Sequence, residues 1–458
     1  MPKRTRLLIV TADVLGPQMA GPAIRALAMA RAASAVAEVR LVSMVRYEPF
    51  AHDGVDASFA DEKALRAHAD WSDVVVIQGH VLTSFPWLAD GERRIVADIY
   101  DPMHLEVLEQ GKDNSDSDRL WLSLFTTEVL NDQMRKSDFM LCASEKQRDF
   151  WLGQLAALSR INPATYDQDD TLRSLLDVVP FGIEDQPPVQ RSHGIKGAVP
   201  GIAPDDKVIL WGGGIYNWFD PITLITAVHR LSARHPDLRL FFLGVKHPNP
   251  NVPEMSVANR ARELAIELGM LDRTVFFNEG WVPYDQRADF LLDADLGVST
   301  HFEHLETAFS FRTRILDYIW ASLPIVASDG DSFASIIRDN ELGRVVPTED
   351  IDALADALAE VLYDDDVSAR MRANVAAYAQ RMTWSQVLKP FVDYCAQPWR
   401  APDLLDRVGT AQDVAIRELE KQVAGLKAST SWRVTRPLRW LAELRQPKEQ
   451  RQELRESR

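Results

Sequence analysis

Cysteine is nearly absent from this chain. Only Cys142 and Cys395 occur, far apart and each inside an apolar run. Two such thiols build neither a disulfide framework nor a zinc cluster, and they suit a reducing compartment. Long apolar runs are also missing: no stretch approaches the roughly 18 uncharged residues of a membrane-spanning helix. The start, MPKRTRLLIVTADVLG, is basic, but its apolar run stops at Thr11 and Asp13, too short for a secretory leader. Excess positive charge is lacking as well, since 51 Lys and Arg face 67 Asp and Glu, a net charge of −16. That argues against a nucleic-acid partner while leaving room for a local basic patch. The expectation is a cytoplasmic protein whose only membrane contact is peripheral, at the inner face of the plasma membrane.

What is present is the balance of a soluble globular protein, with 46% apolar and 26% charged residues. Its 458 residues exceed one ordinary core and predict two domains of roughly 200 residues plus a tail. Short β-branched runs alternate with longer helical patterns, the order of a parallel α/β chain. The first half offers RLLIVTA, VRLVSMV, DVVVIQG, RRIVADIY, DFMLCAS and DVVPFGI as strands. The second offers KVILWGGG, LRLFFLGV, VFFNEG, LGVST, PIVAS and GRVVP. Between them, residues 184–206 are rich in Pro and Gly and read as a linker. The expected architecture is two Rossmann-like domains, 1–183 and 207–381, facing a cleft. TWSQVLKPFVDY, within 382–397, reads as a capped amphipathic helix despite Pro390.

Residues 398–458 form a tail of different composition. Its first part has apolar residues at near-helical spacing with charges between them. From Lys427 to Arg445, five Lys or Arg face one acid, interleaved with Trp432, Val434, Leu438, Trp440 and Leu441. That composition fits either an interfacial membrane helix or a partner-packing or disordered tail, and Pro437 shortens any helix there.

Several loops can carry chemistry. Gly16, Gly21 and Pro22 follow the first strand and enter a helix, where backbone N–H groups approach a ligand. No Gly-x-Gly-x-x-Gly fingerprint is present, so a dinucleotide site is not indicated. Gly212, Gly213 and Gly214 end a buried strand at a strand-to-helix loop, a place for a phosphate. Asn278, Glu279, Gly280, Trp281 and Val282 end another strand and are placed to flank a base ring. Apolar spacing accounts for YDQRADFLLDADLG without a functional role, and Asp293 and Asp295 read as structural. In ETAFSFRTRILDYIWASLPIVASDGD, Arg312 and Arg314 stand at a helix start, already a positive place. Being two apart, they occupy different faces, so one can reach an anion while the other pairs with an acid.

Tandem Rossmann-like domains with these loops resemble the GT-B glycosyltransferases, most closely the retaining, nucleotide-sugar-dependent glycosyltransferase family 4. The resemblance runs from RLLIVTA to TWSQVLKPFVDYC and is most specific in HFEHLETAFSFRTRILDYIWASLPIVAS. It implies a first domain for the acceptor, a second for the donor, and a helix at 382–397 crossing back to the first. Asp317 occupies the family's second acidic position, which binds donor ribose. The first falls on Phe309, with Glu306 as the substitute and Glu303 as second choice. The family's Arg and Lys for the donor diphosphate fall on Gly214 and Phe219, so Arg312 and Arg314 are expected to replace them. Glu306, Arg312, Asp101 and His104 are then the catalytic candidates. Gly212–Gly214, residues 278–282, Ser310, Arg314 and Asp317 are the donor set, with Gly21, Arg25 and Asp98 on the acceptor side. The implied partners are a nucleotide sugar and a glycan or lipid-linked acceptor of bacterial polysaccharide synthesis, with no metal or other cofactor required. A catalytically silent glycan-binding or scaffold protein of the same fold is the alternative.

Overall fold

The computed structural model describes residues 4–405 and 411–429 except 53, 113 and 245–254, together with Trp432 and Thr435. The chain divides into a body, Met1–Leu404, and a C-terminal unit, Leu405–Arg458.

The body holds two wholly parallel sheets. The first has seven strands in the order β3-β2-β1-β4-β5-β6-β7. These are β1 Thr5–Thr11, β2 Ala37–Ser43, β3 Asp56–Phe59, β4 Val74–Gln78, β5 Arg94–Asp98, β6 Phe139–Cys142 and β7 Leu176–Val178. The second has six in the order β10-β9-β8-β11-β12-β13. These are β8 Lys207–Trp211, β9 Leu238–Phe242, β10 Val275–Phe277, β11 Leu296–Ser299, β12 Ile325–Ser328 and β13 Gly343–Val346. Helices cover both faces, so the central strands are apolar on both sides, as in LLIV of β1 and VILW of β8. The expected strands all form. The sequence reading missed β3, whose residues DASF lie partly or fully exposed at the sheet edge and show no apolar alternation.

One apolar core runs without interruption from Leu7 and Ile9 of β1, through Phe181 and Trp384, to Ile315 and Tyr318 behind β8 and β11. The chain crosses between the sheets twice, and the crossings touch. Ile183 N–H donates to Met382 O at 2.8 Å, and Trp384 N–H donates back to Ile183 O at 2.9 Å. Gly182 stands here because a Cβ would meet the Trp384 backbone nitrogen at 2.9 Å.

Residues 184–206 contain no helix or strand, yet they are bound to the second sheet's helices. Asp293 accepts from Ile195 N–H and Lys196 N–H, and Asp289 from Arg191 N–H and Ser192 N–H. The single helix expected over TWSQVLKPFVDY is two, Trp384–Val387 and Lys389–Ala396, and Thr383 makes no side-chain cap. Pro390 has no N–H to continue the ladder, so the chain restarts with proline in the first turn. The second helix reaches the first domain, where Tyr394 stacks on Phe139 at 4.9 Å. Trp399 and Ala401 then bond to Ser174 O and to the Asp138 carboxylate.

In the C-terminal unit, helix Ala411–Ala428 leaves Leu419, Val423 and Leu426 exposed. Trp432 is also exposed. Residues 436–458, with most of the basic aromatic stretch, lie outside the described residues. Among the described residues, no helix is long and apolar enough to cross a membrane.

Candidate active site

The carboxyl ends of both sheets open onto a shared cavity of about 410 Å³, the usual ligand position for parallel sheets. Of the expected residues, Gly21, Asp101, Gly212, Gly213, Gly214, Trp281, Ser310, Arg312, Arg314 and Asp317 line it.

The glycine loop follows β8 and is held from beneath. Gly212 N–H donates to the Tyr318 hydroxyl at 2.7 Å, and that hydroxyl sits 3.0 Å from Leu210 O and 2.8 Å from Val298 O. Gly213 has φ of +74°, which only glycine adopts without strain.

The two arginines have different fates. Arg312 is buried against Glu306, with Nη1 2.8 Å from Oε1 and Nη2 2.7 Å from Oε2. Two parallel charge-assisted bonds of this kind are the strong form of an ion pair. Arg314 is 7% exposed and donates from Nη2 to Gly214 O at 2.7 Å. Its plane lies over Phe219 at 3.8 Å and Trp211 at 4.4 Å, and its Nη1 has no hydrogen-bond partner among the described residues. Burial pulls its pKa down to about 10, still charged at neutral pH. The expectation of two free cations is therefore corrected to one. Glu306 is 1% exposed and turned onto Arg312 rather than into the cavity. Phe309, at the family's acidic position, packs on Phe150 with ring centres 4.6 Å apart. Glu303 is exposed.

Asp317 is half-buried, which raises its carboxyl, and Arg287 Nε lies 3.4 Å from its Oδ1. The Arg287 guanidinium rests over Tyr284 at 3.6 Å and Trp320 at 4.2 Å. Of residues 278–282, only Trp281 reaches the cavity. Its Nε1 donates to Met19 O at 3.2 Å, and Gln18 donates to its carbonyl at 2.9 Å. Asn278 turns its amide to Leu243 O, Glu279 pairs with Arg262 on the surface, Gly280 is exposed and Val282 packs on the core. The polar side chains of Asn278 and Glu279 are thus engaged by the end of β9 and by helix Ser256–Glu267.

On the first-domain wall, Asp101 is hydrogen-bonded to Glu106, which also lines the cavity. Burial pushes Asp101 up to about 7 and Glu106 well above the carboxylate range, so the pair holds a proton at neutral pH. Three expected residues lie behind this wall. Arg25 is wholly buried, paired with Asp98 at 2.8 Å and donating to Val179 O and Pro180 O. The pair braces the loop bearing Phe181 and is spent on structure. His104 stacks on Phe150 at 5.4 Å, and burial pulls it down to about 4, leaving a neutral packing ring.

Residues 196–382 match the family described as glycosyl transferases group 1. Sucrose-phosphate synthase from Thermosynechococcus elongatus superposes with a TM-score of 0.60 at 15% identity, covering 86% of this chain and 99% of that one. The fold is GT-B.

Among curated relatives, a phosphatidyl-myo-inositol mannosyltransferase of Mycolicibacterium smegmatis is 29% identical over 36% of this chain and 38% of its own. A D-inositol 3-phosphate glycosyltransferase of Saccharomonospora viridis is 26% identical over 57% and 60%. The alignments thus span between about a third and three fifths of those relatives' lengths. The GT-B cleft here also contains residues that the sequence reading did not single out. Glu106 looks like an ordinary position in a charged helix, and Arg287 sits in a segment whose apolar spacing needs no further role. Tyr318 reads as core. The Asp-Pro helix entry at Asp101 and the position of Arg287 eight residues before the Asp-Leu-Gly strand are weak signals at best.

Proposed function

We propose that the protein is a retaining glycosyltransferase moving a sugar from a nucleotide-diphosphate sugar to a glycan or lipid-linked acceptor in bacterial polysaccharide synthesis. The observation that carries this reading is Arg314, buried at the cavity over the glycine loop with one Nη unpartnered among the described residues. A leaving diphosphate needs fixed positive charge in a dry site, and a guanidinium held by a carbonyl and two rings is pre-organised for it. Asp317 stands on the same helix for a ribose hydroxyl, and the Trp281 face lies beside the glycine loop for the base. On this reading the arginine takes the place of a metal, so activity persists in chelator. The relatives named for inositol lipid or inositol phosphate glycosylation support the reaction class. The tail's peripheral contact with a membrane is part of the same proposal.

The test is calorimetry with UDP, GDP, dTDP, CDP and ADP without metal, followed by turnover with the sugar form of the nucleotide that binds. Binding of one nucleotide and transfer with retained anomeric configuration are expected. An inverted product would remove the retaining mechanism.

A second reading is a catalytically silent GT-B protein that binds glycan or scaffolds a partner. The closure of Glu306 onto Arg312 and the replacement of an acid by Phe309 favour it. Nucleotide binding without any product under these conditions would select it.

A further inference from the structure

The two walls of the cavity differ in net charge: on the second-domain wall Asp317 is paired with Arg287, which leaves Arg314 as its uncompensated cation among the described residues. The second-domain wall presents Arg314, more than nine-tenths buried, whose Nη1 lacks a hydrogen-bond partner among the described residues, while Arg312 beside it is neutralised by Glu306. Such a group is satisfied by an anion entering from the cavity. The first-domain wall presents Asp101 and Glu106, and among its described residues it contributes no Lys or Arg to the lining. Arg25 lies behind it, fully buried, with its arms on Asp98 and two backbone carbonyls. Glu106 and Gln110 stand one turn apart on helix Met103–Gln110, and both line the cavity. Their side chains offer lone pairs and an amide to hydroxyl groups.

We infer that the acceptor entering this cleft is an uncharged polyol or sugar unit, and that a phosphorylated acceptor of the kind named for the inositol-directed relatives is rejected. The inference rests on the glycosyltransferase reading and narrows its acceptor class. A phosphate on the acceptor would have to sit against a carboxyl pair that shares one proton and keeps one negative charge, in a site sheltered from water where like charges repel. The donor diphosphate meets no such conflict, because its charge lies against the opposite wall. A hydroxyl, in contrast, donates to a carboxyl oxygen and gains a charge-assisted bond. The two walls thus orient donor and acceptor before any chemistry.

The experiment uses the full chain saturated with whichever nucleoside diphosphate it binds. Methyl α-glucopyranoside and myo-inositol are compared with glucose 6-phosphate and myo-inositol 1-phosphate by saturation-transfer NMR and calorimetry. At least tenfold tighter binding of the neutral probes is expected. In the double variant Asp101→Asn, Glu106→Gln, the phosphorylated probes gain affinity and the ratio narrows, while nucleotide affinity is kept and shows that the variant is folded. Equal or tighter binding of the phosphorylated probes to the natural chain overturns the inference, as does failure of the neutral probes to bind or an unchanged ratio in the variant. Absence of nucleotide binding removes the glycosyltransferase reading itself and the inference with it, so the two failures are told apart on one sample.

Discussion

Arg312 and Glu306 form a closed pair, with the two Nη atoms 2.8 and 2.7 Å from the two carboxylate oxygens and both side chains buried. Arg314, two residues on, has a carbonyl and two rings around it. Neighbouring arginines at one helix start have therefore divided into one closed by a carboxylate and one whose Nη1 has no partner among the described residues.

That division predicts different losses. Arg312→Ala leaves Glu306 buried without its counter-charge and is expected to cost about 3–5 kcal/mol of stability in chemical denaturation. Arg314→Ala is expected to weaken the nucleoside diphosphate by about 10- to 100-fold, the worth of one or two charge-assisted bonds. Equal losses of affinity in the two variants would contradict the assignment.

Tyr318→Phe removes the hydroxyl under Gly212. One backbone N–H loses its acceptor and the carbonyls of Leu210 and Val298 lose their shared donor. A cost of about 1–3 kcal/mol follows from leaving such buried groups unmade. Because the loop it supports faces the cavity, nucleotide affinity should fall a few-fold as well. Unchanged affinity in calorimetry would show that the loop holds its shape without the tyrosine.

Asp101 gives a pH dependence of stability with a defined sign. Its folded carboxyl titrates at about 7, raised chiefly by burial from the ordinary value of 3.8. The folded state therefore binds more protons than the unfolded one between those values, and stability falls as pH rises through that window. Asp101→Asn removes the penalty, so it should raise the melting temperature at pH 8 and change it little at pH 4. The same shift at both pH values would mean that Asp101 carries no such penalty.

Asp98→Asn tests the buried brace behind the acceptor wall. It strips the counter-charge from Arg25, which is 0% exposed, and a loss of about 3–5 kcal/mol is expected. Nucleotide affinity measured on the folded fraction should be unaltered, since neither residue lines the cavity.

The sheets were readable because a parallel strand covered on both faces is a continuous apolar run, and LLIV, VVVI and VILW announce themselves. The strand DASF did not, being an edge with little to bury. The glycine loop was readable because three successive glycines exceed the needs of a turn. The partners of charged groups were not. Whether Glu306 faces a ligand or Arg312, and whether Arg25 faces the cleft or Asp98 73 residues away, is settled by long-range packing. Glu106 and Arg287 were overlooked for the related reason that local amphipathic spacing explains them until the opposite element is in place. His104 shows the same limit from the other side, as an aromatic stacking partner disguised as a catalytic type.

The twin crossings at Ile183 and Trp384, joined by two main-chain hydrogen bonds, have a mechanical consequence. Two parallel tethers pinned to each other at one spot resist sliding and twisting, but they leave bending about that spot comparatively free. Any opening of the cleft is thereby channelled into a single rocking degree of freedom. Contacts between the two sheets' loops, such as Trp281 to Met19 and Gln147 to Phe309 O at 2.8 Å, part as the cleft opens. Each hydrogen bond of these contacts is worth about 0.5–1.5 kcal/mol, so they unlatch one by one while the pivot stays fastened.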